Sequence, residues 1–358
     1  MSKILGMEIG NDNLKLALCS GSKVQKLFSE KIPDNIMQDG MITIEDAMVE
    51  FLRDTRKKYR LASGTQVALV LPDSAAYTRK FTIPAMNDEE LRLNLPYEFR
   101  DYLEQERGRE IYVYDYCLLN VEYQTESGLN AEYEAALNGG SKEDSGEKKK
   151  KAAPKTPKEY TLLAAAMKKE LLDFYANLLK KSGFKLKRAV PYDCAMQNLI
   201  HGNRNIPQTI AVLDIGAAGS EMNIYKDGAF VMGRRFDVGG RTIDDRIAGV
   251  YKVDMHTAVS YKEENFENCL SCDECVDAYG YLAVEAMKVI NFYRAQGGDI
   301  SDVYFAGGTS LIEMLRTRVV KATDMLPHDI SKLLVTIRPE DAAASVIFPA
   351  AIGAAILK

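Results

Sequence analysis

The sequence has no excess of positive charge and no long apolar run. Its 358 residues include 46 Lys and Arg against 51 Asp and Glu, which gives a formal net charge of -5 at pH 7. A chain without a basic field attracts phosphate backbones poorly, and this one shows no Cys/His finger spacing. We therefore expect no nucleic-acid partner.

The lack of a long apolar run bears on membranes and secretion. The longest such stretch, Val346–Leu357, is too short for the ~20 residues that span a bilayer. Near the start of the chain, Glu8 interrupts the apolar stretch that a signal peptide needs. Six irregularly spaced cysteines do not describe a secreted disulfide framework. These absences predict a cytoplasmic protein.

The composition that is present suits two lobes. A chain of this length with 46% hydrophobic residues can bury more than one core. Residues 138–158 break the pattern, because they combine glycines, mixed charge, the run Lys148–Lys151 and two prolines, with little to bury. We interpret this segment as a disordered loop with a solvated charge run.

The two halves of the chain repeat one order of elements. The order is a strand, a tight turn and a second strand: Lys3–Ile9, 10–13 and Leu14–Cys19 in one half, and Thr209–Ile215, 216–219 and Glu221–Lys226 in the other. In each half a carboxylate, Glu8 or Asp214, lies two residues before the first glycine of the turn. This repetition predicts an internal duplication with chemistry at the same point of each copy.

The paired turns predict a nucleotide site. A turn that begins with glycine can direct backbone N–H groups into a concavity for phosphate, and nearby carboxylates suit Mg²⁺, which keeps most of its waters. After strand Asp302–Ala306, small residues and a helix start at Leu311 suit a ribose or base. The expected ATP and Mg²⁺ site comprises Glu8, Gly10, Asn11, Asp12, Asn13, Lys15, Asp214, Gly216, Ala217, Ala218, Gly219, Ser220, Gly307, Gly308, Thr309 and Ser310.

These segments match, in order, the two phosphate motifs and the adenosine motif of the actin, sugar-kinase and heat-shock-chaperone superfamily. Within it the chain resembles the PilM family of type IV pilus assembly proteins over nearly its whole length outside the loop. Four stretches show the likeness: Asp39–Ile42, Val67–Pro72, Thr78–Met86 and Leu163–Gly183. The resemblance implies an α/β, actin-like (ribonuclease H-type), duplicated two-lobed fold.

The resemblance also implies a domain order with a small α+β subdomain inserted in the first lobe, as in the division protein FtsA. We expect the first lobe at 1–74, the insert at 75–190, a connecting helix at 191–207, the second lobe at 208–340 with a helical part at 240–298, and a C-terminal helix at 341–358 that returns to the first lobe. In the insert, Asn87 and Glu90 predict a capping box, and Pro96 should kink the helix that follows.

Three departures from the family pattern bear on catalysis. The first turn follows Glu8 instead of Asp, and Asp12 brings a negative charge towards the phosphates unless it points away. On the first connecting helix, Tyr192 stands where relatives often have an acid that orients water, with Asp193 beside it. Because general-base geometry is demanding, we expect weak hydrolysis or none.

The resemblance implies a membrane-protein partner. In the PilM family, the N-terminal cytoplasmic tail of the single-span protein PilN lies in a groove at the inserted subdomain, which would place this chain at the inner face of the cytoplasmic membrane through its partner alone. Other pilus assembly proteins and self-association are further expectations. On the strand Arg79–Ile83, the candidates for contacting the tail are Arg79, Lys80 and Thr82, taken as outward-facing.

One feature lies outside the family pattern. Cys269, Cys272 and Cys275 have two consecutive Cys-x-x-Cys spacings, which metal sites use, but an iron–sulfur site would need a fourth ligand such as Cys194 or His256. The simpler interpretation is three thiols in a loop before a helix Ala278–Ala295. Two other functions stay open: an FtsA-like division or cytoskeletal protein, and an iron–sulfur ATPase that activates a dehydratase.

Overall fold

The computed structural model describes residues 3–38, 40–72, 74–103, 111–123, 157–201, 208–334 and 337–356. Its contacts divide the chain into two compact units. The first unit comprises Met1–Thr78, Glu106–Val113 and Ala166–Lys358, and the second comprises Arg79–Gln105 and Tyr114–Ala165.

The first unit contains two five-stranded sheets. One has the order β10-β6-β1-β2-β3, with β1 Lys3–Ile9, β2 Asn13–Ser20, β3 Lys23–Lys31, β6 Thr65–Leu71 and β10 Phe184–Pro191. The other has the order β13-β12-β11-β14-β15, with β11 Thr209–Ile215, β12 Ser220–Lys226, β13 Ala229–Phe236, β14 Asp302–Ala306 and β15 Leu326–Asp329. A small pair, β4 Met37–Gln38 and β5 Met41–Ile42, follows β3.

The two sheets repeat one topology. The β1–β2 and β11–β12 pairs are antiparallel hairpins, whereas β1–β6 and β11–β14 are parallel pairs. Even the irregularities repeat, because the register shifts between Leu18 and Cys19 in β2 and between Ile224 and Tyr225 in β12. When Glu8 is aligned with Asp214, these two shifts fall at equivalent positions. The predicted duplication and α/β class are confirmed.

Helices cover the sheets. They are α1 Glu45–Lys58, α2 Asp88–Phe99, α3 Lys169–Lys181, α4 Tyr192–Ile200, α5 Gly240–Tyr251, α6 Met255–Glu264, α7 Asp273–Ala295, α8 Glu313–Thr323, α9 Ala342–Ser345 and α10 Pro349–Ile356. Short 3₁₀ turns span Phe266–Ser271, Gly308–Leu311, Ile330–Leu333 and Pro339–Asp341. No helix in the described part of the chain is long and apolar enough to cross a membrane.

Helices α4 and α10 pack in the apolar core shared by the two sheets. Gly353 of α10 lies so close to α4 that an added Cβ would be 2.0 Å from the carbonyl oxygen of Ala195. Gly6 of β1 lies equally close to α10, with 1.8 Å between a built Cβ and the carbonyl oxygen of Ala351. Small residues therefore allow α10 to lie directly on the first sheet and on α4.

The second unit holds most of a three-stranded sheet and α2. The sheet has the order β7-β9-β8, with β7 Ala76–Pro84, β8 Tyr112–Tyr123 and β9 Pro157–Lys168. The predicted capping box of α2 is present, because Asn87 Oδ1 accepts from the Glu90 N–H and the Asn87 N–H donates to Glu90 Oε2. Leu91, Leu95 and Phe99 form the buried side of this helix, and Pro96 lies within it.

Several boundaries differ from the sequence-based expectation. The expected loop at 138–158 lies outside the described residues except for Pro157 and Lys158, which begin β9. The long helix begins at Asp273 instead of Ala278, so Cys275 lies in the helix and Cys272 is its N-cap. The helix after β14 begins at Glu313, after a 3₁₀ turn. Residues 166–190, which we assigned to the insert, belong to the first unit by contact.

Candidate functional site

Two equivalent hairpins form the centre of the site. The Gly10 N–H donates to the Asn13 carbonyl at 3.0 Å, and the Gly216 N–H donates to the Gly219 carbonyl at 2.9 Å. Just before these turns, Glu8 pairs across the strands with Lys15 and Asp214 pairs with Glu221. Glu8 is therefore the counterpart of Asp214, and Lys15 is the counterpart of Glu221.

The first hairpin neutralises its own acid. Lys15 Nζ lies 2.7 Å from Glu8 Oε1, and both side chains are more than four-fifths covered. Burial raises the pKa of Glu8 against the opposing effect of Lys15. Burial alone would lower the pKa of Lys15, but the carboxylates of Glu8 and Asp214 outweigh it and the pKa is raised. Lys15 thus stays charged between two acids, one from each hairpin.

An ion pair joins the two hairpin regions. Arg241, in the first turn of α5, donates from Nη2 and Nε to Asp12 Oδ1 at 2.6 and 3.2 Å. Asp12 does not extend freely towards a phosphate site, because its carboxylate is bound to this guanidinium. Sequence reasoning missed Arg241. The charge of Asp12 in a turn predicted to bind phosphate indicates that a cation is needed there, but 229 residues separate the pair.

Asp214 is held by neighbours from other elements. Its Oδ2 accepts a hydrogen bond of 2.7 Å from the Tyr192 hydroxyl, at the start of α4. Gly307 has a left-handed φ of 84°, and an added Cβ there would lie 2.3 Å from Asp214 Oδ1. Burial and the charge of Asp214 raise the pKa of Tyr192, which keeps the hydroxyl a donor. Tyr192 therefore orients Asp214 through this hydrogen bond. It does not take the role of the water-orienting acid that the family pattern has at this position.

A buried acid pair lies beside this group. Asp193 and Glu221 are joined by a side-chain hydrogen bond, so one of them holds a proton. Burial and the neighbouring Asp193 charge raise the pKa of Glu221 well above its ordinary range, so we assign the proton to Glu221. Asn223 donates from Nδ2 to Glu221 Oε1 at 2.7 Å. The carboxylate of Asp193, the candidate water-orienting acid, is thus already hydrogen-bonded to Glu221.

The third predicted segment meets the second hairpin. Thr309 Oγ1 donates to the Gly216 carbonyl at 3.0 Å, and the Gly240 N–H donates to the same oxygen at 2.9 Å. The Arg241 N–H donates to the Ala217 carbonyl at 2.8 Å. The hydroxyls of Ser220 and Ser310 donate to carbonyl groups inside the lobe, those of Val238 and Gly307. The turn at 216–219, the start of α5 and the segment 307–310 are therefore one packed group.

The donors and acids of these residues are of the types that suit a nucleoside triphosphate. Glycines keep the segments close, because an added Cβ at Gly239 would lie within 2.6–2.8 Å of three backbone atoms of the turn at 216–219. Lys15 and Arg241 are cations beside the two turns. For Mg²⁺, Asp214 and Glu8 are the acids that could hold the ion through water. In the described part of the chain, no group of three or more His, Cys, Asp or Glu could hold a metal ion directly.

The predicted tail-binding residues divide between two faces of β7. Lys80 and Thr82 are exposed, and Thr82 Oγ1 lies 3.2 Å from Thr161 Oγ1. Because side chains alternate along a strand, Arg79 lies on the same face as Phe81 and Ile83. Its guanidinium stacks on Tyr102, 3.6 Å from the centre of the ring. Arg79 therefore does not share a face with Lys80 as we expected. β7 is an edge strand of its sheet.

The cysteine triad extends from a 3₁₀ turn into α7: Cys269 lies in the turn Phe266–Ser271, Cys272 is the N-cap and Cys275 is in the first turn of the helix. Cys269 and Cys275 are fully buried in the core of the second lobe, and Cys269 Sγ donates to the Tyr261 carbonyl at 3.3 Å. Burial raises the pKa of both thiols, with the neighbouring Cys272 adding to the effect. These two side chains therefore pack as small apolar groups.

Comparison with known proteins identifies the class and then the family. The model for "Type IV pilus assembly protein PilM" matches residues 148–340. A solved PilM–PilN type IV pilus biogenesis complex is similar, with a TM-score of 0.76, 18% identity and 99% of each chain covered. The ethanolamine utilization protein EutJ from Carboxydothermus hydrogenoformans has a TM-score of 0.57, 11% identity, and 100% of this chain and 90% of its own covered. No curated protein sequence matches significantly.

The duplicated sheets, the paired hairpins and these likenesses confirm the predicted actin-like α/β fold with two lobes. The family match extends over more than half of the chain. The chain belongs to the PilM family of type IV pilus assembly proteins.

Proposed function

We propose that this protein is a nucleotide-binding scaffold of a type IV pilus machine and that it binds the cytoplasmic tail of a PilN-like membrane protein. The PilM family match over residues 148–340 is the main support for this proposal. The similar fold in the PilM–PilN complex supports the choice of partner. Binding such a tail would bring the protein to the inner face of the cytoplasmic membrane.

The nucleotide part of the proposal rests on the two hairpins. The phosphates of ATP would lie between the turns at 10–13 and 216–219, where backbone N–H groups and the Lys15 ammonium can donate to them. Arg241 would be a second donor from the start of α5. Bound Mg²⁺ would neutralise phosphate charge there, with Asp214 and Glu8 facing its waters. The chain's own contribution is to hold these groups in place before ligand binding.

We propose that hydrolysis is weak. An attacking water needs a base within hydrogen-bond reach, and the nearby acids already have partners. Asp193 accepts from Glu221, Glu8 pairs with Lys15, and Asp214 accepts from Tyr192. A turnover far below the ~10 per second of a typical enzyme is the expected result.

The tail-binding part of the proposal rests on β7. An edge strand leaves backbone groups that an extended peptide can pair with, and alternate side chains then give specificity. β7 has this position, and Lys80 and Thr82 are exposed residues on it. Lys80 makes this edge suitable for a tail with acidic residues.

A binding titration tests the proposal. The probe is a synthetic peptide of the N-terminal cytoplasmic tail of the PilN-like protein from the same organism, titrated with and without Mg-ATP. Wild type should bind the peptide, and Lys80→Glu should weaken binding about tenfold or more, equivalent to ~1.4 kcal/mol. Lys180→Glu, an exposed charge reversal on α3, is the matched control and should bind as wild type does. No binding by wild type in either condition would contradict the scaffold function.

A further inference from the structure

Cys272 is the most accessible thiol of the cysteine triad. It is the N-cap residue of α7, and its side chain is only partly covered by the core of the second lobe. Cys269 and Cys275, three residues before and after it, are fully buried. A small molecule in solution therefore reaches Cys272 first. The triad lies outside the residues assigned above to the nucleotide and the peptide, so its chemistry does not depend on the proposed function.

Cys275 lies beside Cys272 in the first turn of the helix. The Cys275 N–H donates to the Cys272 carbonyl at 3.1 Å, which closes the turn between them. An N-cap side chain and the residue three positions later are neighbours at a helix start, as the capping box of Asn87 and Glu90 shows in α2. A disulfide needs Cα atoms roughly 4.4–6.8 Å apart, and one helical turn supplies such a spacing. The backbone of this turn therefore already suits a bridge.

A hydrogen bond joins the two thiols. The Cys275 thiol donates to the Cys272 sulfur, and burial together with this bond raises the pKa of Cys275. Cys275 therefore keeps its proton while the more accessible Cys272 reacts. The Tyr279 hydroxyl forms a further side-chain hydrogen bond with Cys275, which opposes the rise in pKa and would stabilise negative charge on that sulfur. The two sulfur atoms are thus in contact before any reaction.

The third thiol of the triad has a different partner. Cys269 Sγ donates to the Tyr261 carbonyl of α6 at 3.3 Å. The Tyr279 hydroxyl donates to the Leu270 carbonyl at 3.1 Å and holds the 3₁₀ turn that contains Cys269 against α7. Over the residues that the structure describes, no group of three or more His, Cys, Asp or Glu could hold a metal ion. The geometry therefore favours a pair of reactive thiols over a three-cysteine metal site.

We propose that Cys272 and Cys275 are an oxidation site at which a peroxide forms a reversible disulfide. The Cys272 sulfur attacks one oxygen of hydrogen peroxide, the O–O bond breaks, and the thiol proton leaves with the second oxygen as water. The Cys275 sulfur then attacks the sulfur of the resulting sulfenic acid, the S–O bond breaks, and the hydroxyl leaves with the Cys275 proton as a second water. Two thiols are thereby oxidised to one disulfide, and one peroxide is reduced to two waters. A dithiol reverses the reaction by exchange and is itself oxidised.

Stoichiometric oxidation of the full chain tests the pair. The reduced protein is treated with one equivalent of hydrogen peroxide in the presence of chelator, its remaining thiols are alkylated after denaturation, and the bridged residues are located by mass spectrometry. Wild type should lose two of its six free thiols and form the Cys272–Cys275 bridge. Dithiothreitol should restore all six. A bridge through Cys269, an unmodified Cys272, or stable oxidation of Cys272 to a sulfinic acid without a bridge would overturn the proposal.

Substitutions assign the two roles. Cys275→Ala should leave Cys272 as a sulfenic acid, which dimedone traps, whereas Cys272→Ser should show neither a bridge nor trapping at Cys275, because Cys275 is buried. Cys269→Ala removes the neighbouring thiol and should still form the bridge, as should Cys117→Ala, a control outside the triad. Melting temperatures close to that of wild type would show that the variants fold. A Cys275→Ala protein that dimedone does not label, or a Cys272→Ser protein labelled at Cys275, would contradict this order of reaction.

Discussion

The first and second hairpins share a backbone but differ in charge at one equivalent position. Lys15 follows the first turn, and Glu221 stands at the same point after the second. The first hairpin therefore neutralises its acid internally, through the 2.7 Å pair of Lys15 and Glu8. The second hairpin has no such cation of its own, and Asp214 is instead met by Tyr192 from α4.

This difference separates two roles that a symmetric duplication would combine. A hairpin with its acid paired to lysine offers a net cation and backbone donors, which suit phosphate oxygens. A hairpin whose aspartate is met by a tyrosine hydroxyl, with no lysine on its own second strand, would suit the hydrated metal of the proposed ligand. The second lobe's cation, Arg241, reaches across to Asp12 of the first turn. Under the proposed function, the two hairpins would thus divide phosphate and metal binding between the lobes.

The strongest test of this distribution compares the two equivalent acids. Asp214→Ala should lower the affinity for Mg-ATP by about 100-fold or more, or ~2.7 kcal/mol, because it removes the acid proposed to face the metal. Glu8→Ala should cost about tenfold or less, since the Glu8 charge is already compensated by Lys15. Isothermal titration calorimetry with Mg²⁺ and with chelator measures both.

The chelator experiment is the control for this pair of variants. Asp214→Ala should bind metal-free ATP as wild type does, and its melting temperature should be similar, because the change removes little core volume. Equal losses in the two variants would contradict the division of roles. An unchanged Mg-ATP affinity in Asp214→Ala would contradict the site itself.

The next largest effect concerns the pair inside the first hairpin. Lys15→Met removes the cation and leaves Glu8 largely buried beside Asp214, so we expect a loss of about 1–3 kcal/mol in the free energy of unfolding. Lys26→Met on the neighbouring β3 is the matched control, because Lys26 is exposed. It should change stability by less than about 0.5 kcal/mol. Urea denaturation gives both values, and equal changes would show that the Glu8–Lys15 pair does not stabilise the hairpin.

The backbone of this site could be predicted from sequence, whereas its side-chain partners could not. An acid near the end of a β-strand, followed two residues later by glycine, is a local pattern. It predicts both hairpins correctly. The Asp12–Arg241 pair depends on how the lobes fold together over a separation of 229 residues, which local patterns do not encode. The same holds for the bond from Tyr192 to Asp214, so Tyr192 seemed from sequence to be only a missing acid.

The start of α7 shows a different reason for error. The sequence prediction began the helix at Ala278 because the Cys-x-x-Cys spacing suggested a loop. Asp273 and Glu274 stand in the first turn of the observed helix, where acids interact favourably with the positive helix end. That pattern was present in the sequence and would have placed the start correctly. At this helix start the charge pattern is therefore a better guide than the cysteine spacing.

The counterpart of Lys15 makes a smaller, pH-dependent contribution. The pKa of Glu221 is raised above its ordinary value of 4.5 by burial and by Asp193, so the folded state holds a proton that the unfolded chain releases. Its contribution to stability is complete below pH 4.5 and is lost as the pH rises towards the folded pKa. Glu221→Gln keeps a neutral donor to Asp193 and does not titrate.

The variant should therefore become progressively more stable than wild type above pH 4.5, by at most about 1.4 kcal/mol per pH unit. Urea unfolding from pH 4.5 to 8, in the presence of chelator, measures the difference. The exposed Glu89→Gln change on α2 should show no such trend. A difference between Glu221→Gln and wild type that is independent of pH would mean that Glu221 is ionised in the folded protein.

The smallest expected effect concerns the ion pair between the hairpin regions. Asp12 and Arg241 are 35% and 39% exposed, so solvent screening limits their pair to less than about 1 kcal/mol of stability. Their effects on ATP affinity should nevertheless have opposite signs. Asp12→Asn removes a negative charge beside the phosphates and frees Arg241, so affinity should rise about three- to tenfold. Arg241→Ala removes the proposed phosphate donor and leaves Asp12 unpaired, so affinity should fall by a similar factor. Arg241→Lys should restore part of the affinity, because lysine supplies a point charge.

Calorimetry at low and at physiological ionic strength would show both differences shrinking with salt. If both substitutions changed affinity in the same direction, the pair would be acting only as a structural link between the lobes, and the second lobe would supply no cation to the phosphates.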